Sequence, residues 1–177
     1  MARLIAFLRA INVGGHNVKM DHLRTLISDY GFDAVETFIA SGNVIMDGGR
    51  RKPGTAESLL ETGLAADLGY PVTSFVRTIA ELADVVAADP FSAAPGRYYV
   101  TFLKNALAQE STARLLALRS EGEDFAVVGR ELHWLVRAGF ESQVTGAQVE
   151  RAAGGPATAR NITTIRRLAA KFSPSTR

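Results

Sequence analysis

The sequence predicts an α+β fold: a ferredoxin-like βαββαβ unit followed by a second, degenerate βαββα-type unit with a terminal helix. Three observations carry this expectation. Short apolar runs alternate with stretches of helical periodicity in the order strand, helix, strand, strand, helix, strand through Arg77. The order begins again after "FSAAPGR" at 91–97. A chain of 177 residues, 47% of them hydrophobic, has enough apolar side chain for packed cores.

Each element has its own signal. "RLIAFL" at 3–8 reads as a short buried strand. Met20, Leu23, Leu26, Ile27 and Tyr30 recur at helical spacing, and Gly31 supplies a left-handed stop. "VETFIA" at 35–40 and "NVIMD" at 43–47 flank Ser41-Gly42 as the arms of a hairpin. Thr55 is expected to cap a helix carrying Leu59, Leu60, Leu64 and Leu68, closed by Gly69 ahead of Pro71. "VTSFVR" at 72–77 is the next strand. Thr78 and Glu81 form a capping box for a helix that runs to Ala88, where Asp89-Pro90 breaks it.

The domain division is expected as 1–90, a linker at 91–97, and 98–177. In the second part "YYVTFL" (98–103) is a strand and Leu107–Leu118 a helix. "DFAVV" and "ELHWLV" form a hairpin across Gly129-Arg130, a Gly-X turn of the II′ kind. A helix over roughly 142–152 and a last one from about 160 to 172, with Ile162, Ile165, Leu168 and Phe172 inward, complete the chain.

Composition removes several functions. With no cysteine there is no disulfide framework, thiol nucleophile, iron–sulfur cluster or Cys-type zinc site. "MARLIAFLRA" has too short an apolar run before Arg9 for a signal segment or a membrane span, so the expectation is a soluble cytoplasmic protein with no membrane partner. Residues 1–90 hold 8 Lys+Arg against 11 Asp+Glu, and residues 91–177 hold 12 against 7. After Glu150 come Arg151, Arg160, Arg166, Arg167, Lys171 and Arg177 with no acidic side chain, so an anionic partner, nucleic acid among them, is expected there if anywhere. A solvated helix face explains the same charges.

The stretch "LRAINVGGHNVKM" (8–20) is the strongest pointer to a site. In a ferredoxin-like unit the end of strand one, loop 10–19, the start of helix one and the turn Ser41-Gly42 fall at one edge of the sheet. Gly14 and Gly15 leave backbone N–H groups uncovered, and the helix start adds donors and partial positive charge, a setting that favours phosphate or carboxylate. Asn12, Asn17 and Asn43 offer donors and acceptors, and Arg9 or Lys19 can add charge. Near the other end Thr158 is expected to cap the terminal helix, with Arg160 and Asn161 beside it. The candidate ligand-binding set is therefore Arg9, Asn12, Gly14, Gly15, Ser41, Gly42, Asn43, Arg160 and Asn161. The ligand expected is a phosphate-bearing small molecule or nucleotide. A second reading stands beside this one: the glycines serve only a turn of positive φ, Ser41-Gly42-Asn43 is only a hairpin corner, and Arg160 and Asn161 only fasten the last helix.

Other chemistry is weaker. The loop matches neither GxGxxG nor GxxxxGK[ST], which rejects Rossmann and Walker assignments. His16, His22 and Asp21 lack metal-ligand spacing, although His16 and Asp21 are the nearest candidates for a base. "IASGN" is not a GxSxG elbow, so no catalytic constellation is recognisable. His133 alternates with Trp134 on a strand and reads as structural. Tyr98, Tyr99, Phe102 and Trp134 can form an aromatic sheet surface for RNA bases, but no RNP1 pattern accompanies them. No cofactor is implied, and a protein-interaction module with purely structural motifs is the remaining alternative.

"LRAINVGGHNVKM", "FIASGNVIM" and "TARNITTIRRL", in that order, resemble the bacterial family known as domain of unknown function 1697. Its motifs fall here on Leu8, Arg9, Ile11, Asn12, Val13, Gly14 and Gly15, on Ser41, Gly42 and Asn43, and on Thr158, Arg160, Asn161 and Thr164. This chain has Ala10 where the family usually has glycine, Ala40 where it has glutamine, and Ile162 where an aromatic is common. The resemblance implies a two-part α+β fold of ferredoxin-like character and brings no established activity.

Overall fold

A computed structural model describes residues 3–39 and 42–172. Two compact units divide the chain between Glu81 and Leu82. The first contains β1 (Arg3–Leu8), α1 (Met20–Asp29), β2 (Asp33–Thr37), β3 (Asn43–Asp47), α2 (Pro53–Leu68) and β4 (Ser74–Thr78), and α3 (Ile79–Ala88) follows directly. Its sheet has the order β2-β3-β1-β4 with every pairing antiparallel, so β1 and β2 run parallel on either side of β3. This is the ferredoxin-like arrangement the element order predicts.

Strand alternation sorts the side chains. Leu4, Ala6 and Leu8 of β1, Val44 and Met46 of β3 and Val76 of β4 turn one way and pack with Leu23 and Ile27 of α1 and Leu60 and Leu64 of α2. Strand β4 lies at an edge, where alternate backbone N–H groups have no neighbouring strand. Two glutamates one helical turn apart on α2 take them: Ser74 N donates to Glu61 Oε1 and Val76 N to Glu57 Oε1, each at 2.8 Å. Thr78 N donates to Glu81 Oε2 at 2.8 Å, and Glu81 N returns a bond to Thr78 Oγ1 at 3.1 Å, the reciprocal cap read from the sequence.

Three local expectations are corrected. Strand β2 occupies Asp33–Thr37, against an expected 35–40 whose last residue lies outside the described residues: a register irregularity between Asp33 and Glu36 shifts its phase, and Ile39 at φ 57° takes the backbone out of the extended region. Thr55 is not the cap of α2. The helix begins two residues earlier with Pro53 at its first position, where the missing N–H costs nothing, and Lys52 is the N-cap without a side-chain bond. Strand β4 begins at Ser74 and runs one residue past Arg77.

The second unit repeats the first: β5 (Gly96–Leu103), α4 (Gln109–Leu116), β6 (Glu123–Val128), β7 (Glu131–Arg137), α5 (Gly146–Ala153), β8 (Ala157–Asn161), then α6 (Ile162–Phe172). Its sheet order, β6-β7-β5-β8, is that of the first unit position for position, again all antiparallel. Gly96 and Arg97, expected in the linker, already belong to β5. Gly129 at φ 60° opens the expected β6–β7 turn. Phe125 and Leu132 of this sheet pack with Leu115 of α4 and with Val149 and Ala152 of α5.

The main correction falls on "TARN". Thr158, Arg160 and Asn161 lie in an eighth strand, not in a helix start, so the second unit is βαββαβ plus a helix rather than βαββα. Thr158 does not cap α6. Asn161 does, accepting from Thr163 N at 2.8 Å. The expected inward residues Ile162, Ile165 and Leu168 are buried. Phe172 is half-buried, with Lys171 Nζ 4.9 Å from its ring centroid.

Candidate functional site

Loop 9–19 leaves β1 through Ala10, whose φ of 61° starts a sharp turn, and is pinned at Ile11 and Val18, both buried. Asn12 Oδ1 accepts from Val18 N at 2.7 Å and so ties the two ends of the loop together. Tyr70 Oη donates to Ile11 O at 3.2 Å, and the His16 ring stacks on the Tyr70 ring with centroids 3.6 Å apart and an interplanar angle of 17°. Between these anchors Gly14 and Gly15 adopt φ 68° and 88°. A Cβ built on either meets nothing within 4 Å. Both glycines are thus required by backbone conformation, and the space above them is open. Helix α1 starts just beyond, with Lys19 as an N-cap that makes no side-chain bond to the first turn.

The hairpin turn comes to the same edge, as strand topology requires. Leu8 N donates to Gly42 O at 2.8 Å. A Cβ on Gly42 would stand 2.9 Å from Ile11 Cγ2 and 3.0 Å from Leu8 O, so here glycine permits close approach as well as φ 73°. Asn43 is fully buried; its Nδ2 donates to Phe38 O at 3.0 Å while Phe38 N donates to Asn43 O at 2.9 Å, closing the hairpin. Arg9 is exposed, and its N donates to Thr73 O at 2.8 Å. Ser41 lies outside the described residues. In the first unit the structure therefore gathers Arg9, Asn12, Gly14, Gly15, Gly42 and Asn43 at one sheet edge, with Asn12 and Asn43 bracing the backbone.

In the second unit Arg160 Nη1 donates to Thr158 Oγ1 at 2.8 Å and to Ala159 O at 2.9 Å, and burial lowers its guanidinium pKa to about 10. Arg166 Nη2 donates to Asp89 Oδ2 at 2.9 Å. Two of the basic residues expected to meet an anionic partner are therefore engaged within the unit. Arg177 lies outside the described residues.

A buried polar chain here has no counterpart among the sequence expectations. Tyr98 Oη and His133 Nδ1 share a hydrogen bond of 2.6 Å, and Asp89, held by Arg166, bears on the Tyr98 hydroxyl. Burial first, then the Asp89 charge, raises the Tyr98 hydroxyl above its usual range. Burial lowers His133 to about 4, so its ring is neutral, and among the described residues its buried Nε2 has no hydrogen-bond partner. Tyr98 and His133 share a strand face with the buried Val100, Phe102 and Leu135, a spacing visible in the sequence. Their connection to Asp89 depends on the path of the chain.

Over residues 1–133 the sequence matches the family described as Protein of unknown function (DUF1697). The chain belongs to that family. The match takes in the glycine loop and the hairpin turn and ends at the buried histidine, so the "TARN" strand lies beyond it. A solved structure, that of the conserved bacterial protein SP0830 from Streptococcus pneumoniae, is similar with a TM-score of 0.77 at 20% identity, covering 98% of this chain and 99% of that one. At that identity the likeness establishes the fold, two ferredoxin-like α+β units. No curated protein matches.

Within this DUF1697 chain the motif residues of the first unit act together locally, building a short, cross-braced loop whose tip faces open space. Val13, 65% exposed, stands at that tip, and Ile39, 47% exposed, precedes the hairpin turn. No helix among the described residues is long and apolar enough to cross a membrane.

Proposed function

We propose that the chain is a binding module for a phosphate-bearing small ligand or nucleotide, held at the glycine-loop edge of the first unit. One observation carries the reading. Gly14 and Gly15 are adjacent, both left-handed and both open to space, in a loop clamped at each end by the Asn12–Val18 and Tyr70–Ile11 bonds. Backbone N–H groups fixed in open space beside an uncapped helix start favour an anion at little ordering cost, because the loop is already in place. Arg9 and Lys19 supply positive charge at the two ends of the loop, and the stacked His16–Tyr70 pair gives a flat ring surface beside it.

The test is a thermal-shift and calorimetric series with inorganic phosphate, a sugar phosphate and ATP. A ligand present at one hundred times its Kd stabilises by about 2.7 kcal/mol, which sets the concentration required. Gly14→Val and Gly15→Val should abolish the response; each strains the left-handed backbone by about 1–2 kcal/mol but meets no neighbour near its Cβ, so the fold should persist at reduced stability. An undiminished response in both variants, or no response to any of the three compounds, would refute the reading.

A further inference from the structure

The internal repeat brings the same two connections together twice, and the two copies differ in what lies between them. In each unit the connection after the first strand lies beside the connection between the second helix and the fourth strand. In the first unit these are 9–19 and 69–73, and the gap between them is closed by the Tyr70–Ile11 bond and by His16 stacked on Tyr70. In the second unit the first connection shrinks to 104–108, and the second is Gly154-Gly155-Pro156, which offers no side chain long enough to cross. A cleft of about 420 Å3 remains there. That lies within the roughly 300–1,000 Å3 usual for small-molecule sites.

The lining has two characters. Leu103, Leu107 and Ala153 supply an apolar wall, while Lys104, Asn105 and Ser111 supply polar groups. Arg130 Nη1 approaches Lys104 O at 3.5 Å, adding a second cation to the same connection. The acidic residue in the first turn of α4, Glu110, is bound by Arg114 at 2.8 Å. We infer that this second-unit cleft is a binding site for a small amphipathic anion, a carboxylate or phosphate head on a short apolar body. The head lies toward Lys104 and the body against the leucines. The site is separate from the glycine-loop reading and does not depend on it.

Gly155 gives a clean way to close it. A Cβ there meets nothing within 4 Å, and its φ is outside the left-handed region, so a large side chain can be placed at this cleft-lining position without backbone strain. The experiment is amide NMR titration of the full chain with hexanoate, butyl phosphate and, as a neutral comparison, hexanol. The expected result is shifts concentrated at Lys104–Ser111 and Ala153–Gly155 for one or both anions, with hexanol at least tenfold weaker. Lys104→Met should weaken anion binding about tenfold, and Gly155→Phe should remove it. Several results would overturn the site: no shifts with either anion, hexanol binding as well as hexanoate, or unchanged affinity in Lys104→Met. Shifts confined to Val13–Asn17 would also overturn it, and would leave the glycine-loop proposal standing.

Discussion

At the scale of single residues, glycines that look alike in the sequence do different work. Gly15 needs only its positive φ, so Gly15→Ala should cost about 1 kcal/mol of backbone strain. Gly42 has the same kind of φ and also sits 3.0 Å from Leu8 O at the would-be Cβ, a backbone atom that cannot swing aside. Gly42→Ala should therefore cost about 2–4 kcal/mol, strain and overpacking together. Urea unfolding of the two variants compares them directly, and equal losses would show that close approach at Gly42 is unimportant. His133 gives a pH signature. Its folded pKa of about 4 lies below the unfolded value of 6.5, so the unfolded chain binds the extra proton. The contribution to stability is complete above pH 6.5 and is lost as pH falls from there through 4. Full loss amounts to about 3 kcal/mol at about 1.4 kcal/mol per unit. Stability measured between pH 7 and 5 should fall in the native protein, and the slope should flatten in His133→Phe, a variant in which no ring nitrogen titrates. An unchanged slope would place the titrating group elsewhere.

At the scale of elements, most of the fold was legible because its signals are local. Apolar runs of strand length, the helical spacing from Met20 to Tyr30, the Thr78–Glu81 box and the Gly129 turn all act within a few residues of themselves, and all were found. Strand β8 was not. Its sequence, "ATARN", has no apolar alternation, and Asn161 at its end caps the next helix, so the whole stretch carried the signature of a helix start. What makes it a strand is pairing with β5, from Tyr99–Asn161 to Leu103–Ala157, which is non-local. The same limit hid the edge protection of β4. Nothing in "AESLLETGL" announces that Glu57 and Glu61 accept backbone N–H groups from a strand that follows the helix. Glu57→Ala should cost about 3 kcal/mol, because it strands the buried Val76 N–H and removes the carboxylate 4.0 Å from the fully buried Arg77 guanidinium. Glu61→Ala should cost about 1–2 kcal/mol, since the N–H of the fully buried Ser74 loses a partner supplied by a half-buried carboxylate. Amide exchange should report each loss at its own residue, Val76 or Ser74; uniform acceleration across the sheet would argue that the glutamates act through α2 packing instead.

At the scale of the whole molecule, the candidate site was legible in part for the same reason. The edge topology that follows from βαββαβ order correctly brought the glycine loop beside the Gly42 turn, but the bracing roles of Asn12 and Asn43 and the His16–Tyr70 stack depend on side-chain reach. Charge shows the converse, a sequence feature that folding partly neutralises. The second half of the chain carries 12 basic against 7 acidic residues, and the run after Glu150 has six basic residues, the sequence feature that points to nucleic acid. Folding draws Arg160 into β8 with its guanidinium on Thr158 and Ala159, and sets Arg166 on Asp89. An arginine already donating to the protein must give up those bonds to reach a phosphate. Any affinity for single-stranded RNA should then reflect few contacts. With about −0.7 in the log–log salt slope per phosphate neutralised on single strands, a slope no steeper than about −2 is expected between 50 and 200 mM salt. Arg166→Glu should change it little. Fluorescence anisotropy with a labelled oligoribonucleotide measures both. A slope near −4, collapsing in Arg166→Glu, would mean that the Arg166–Asp89 pair opens to bind RNA and that the basic segment is a working interface.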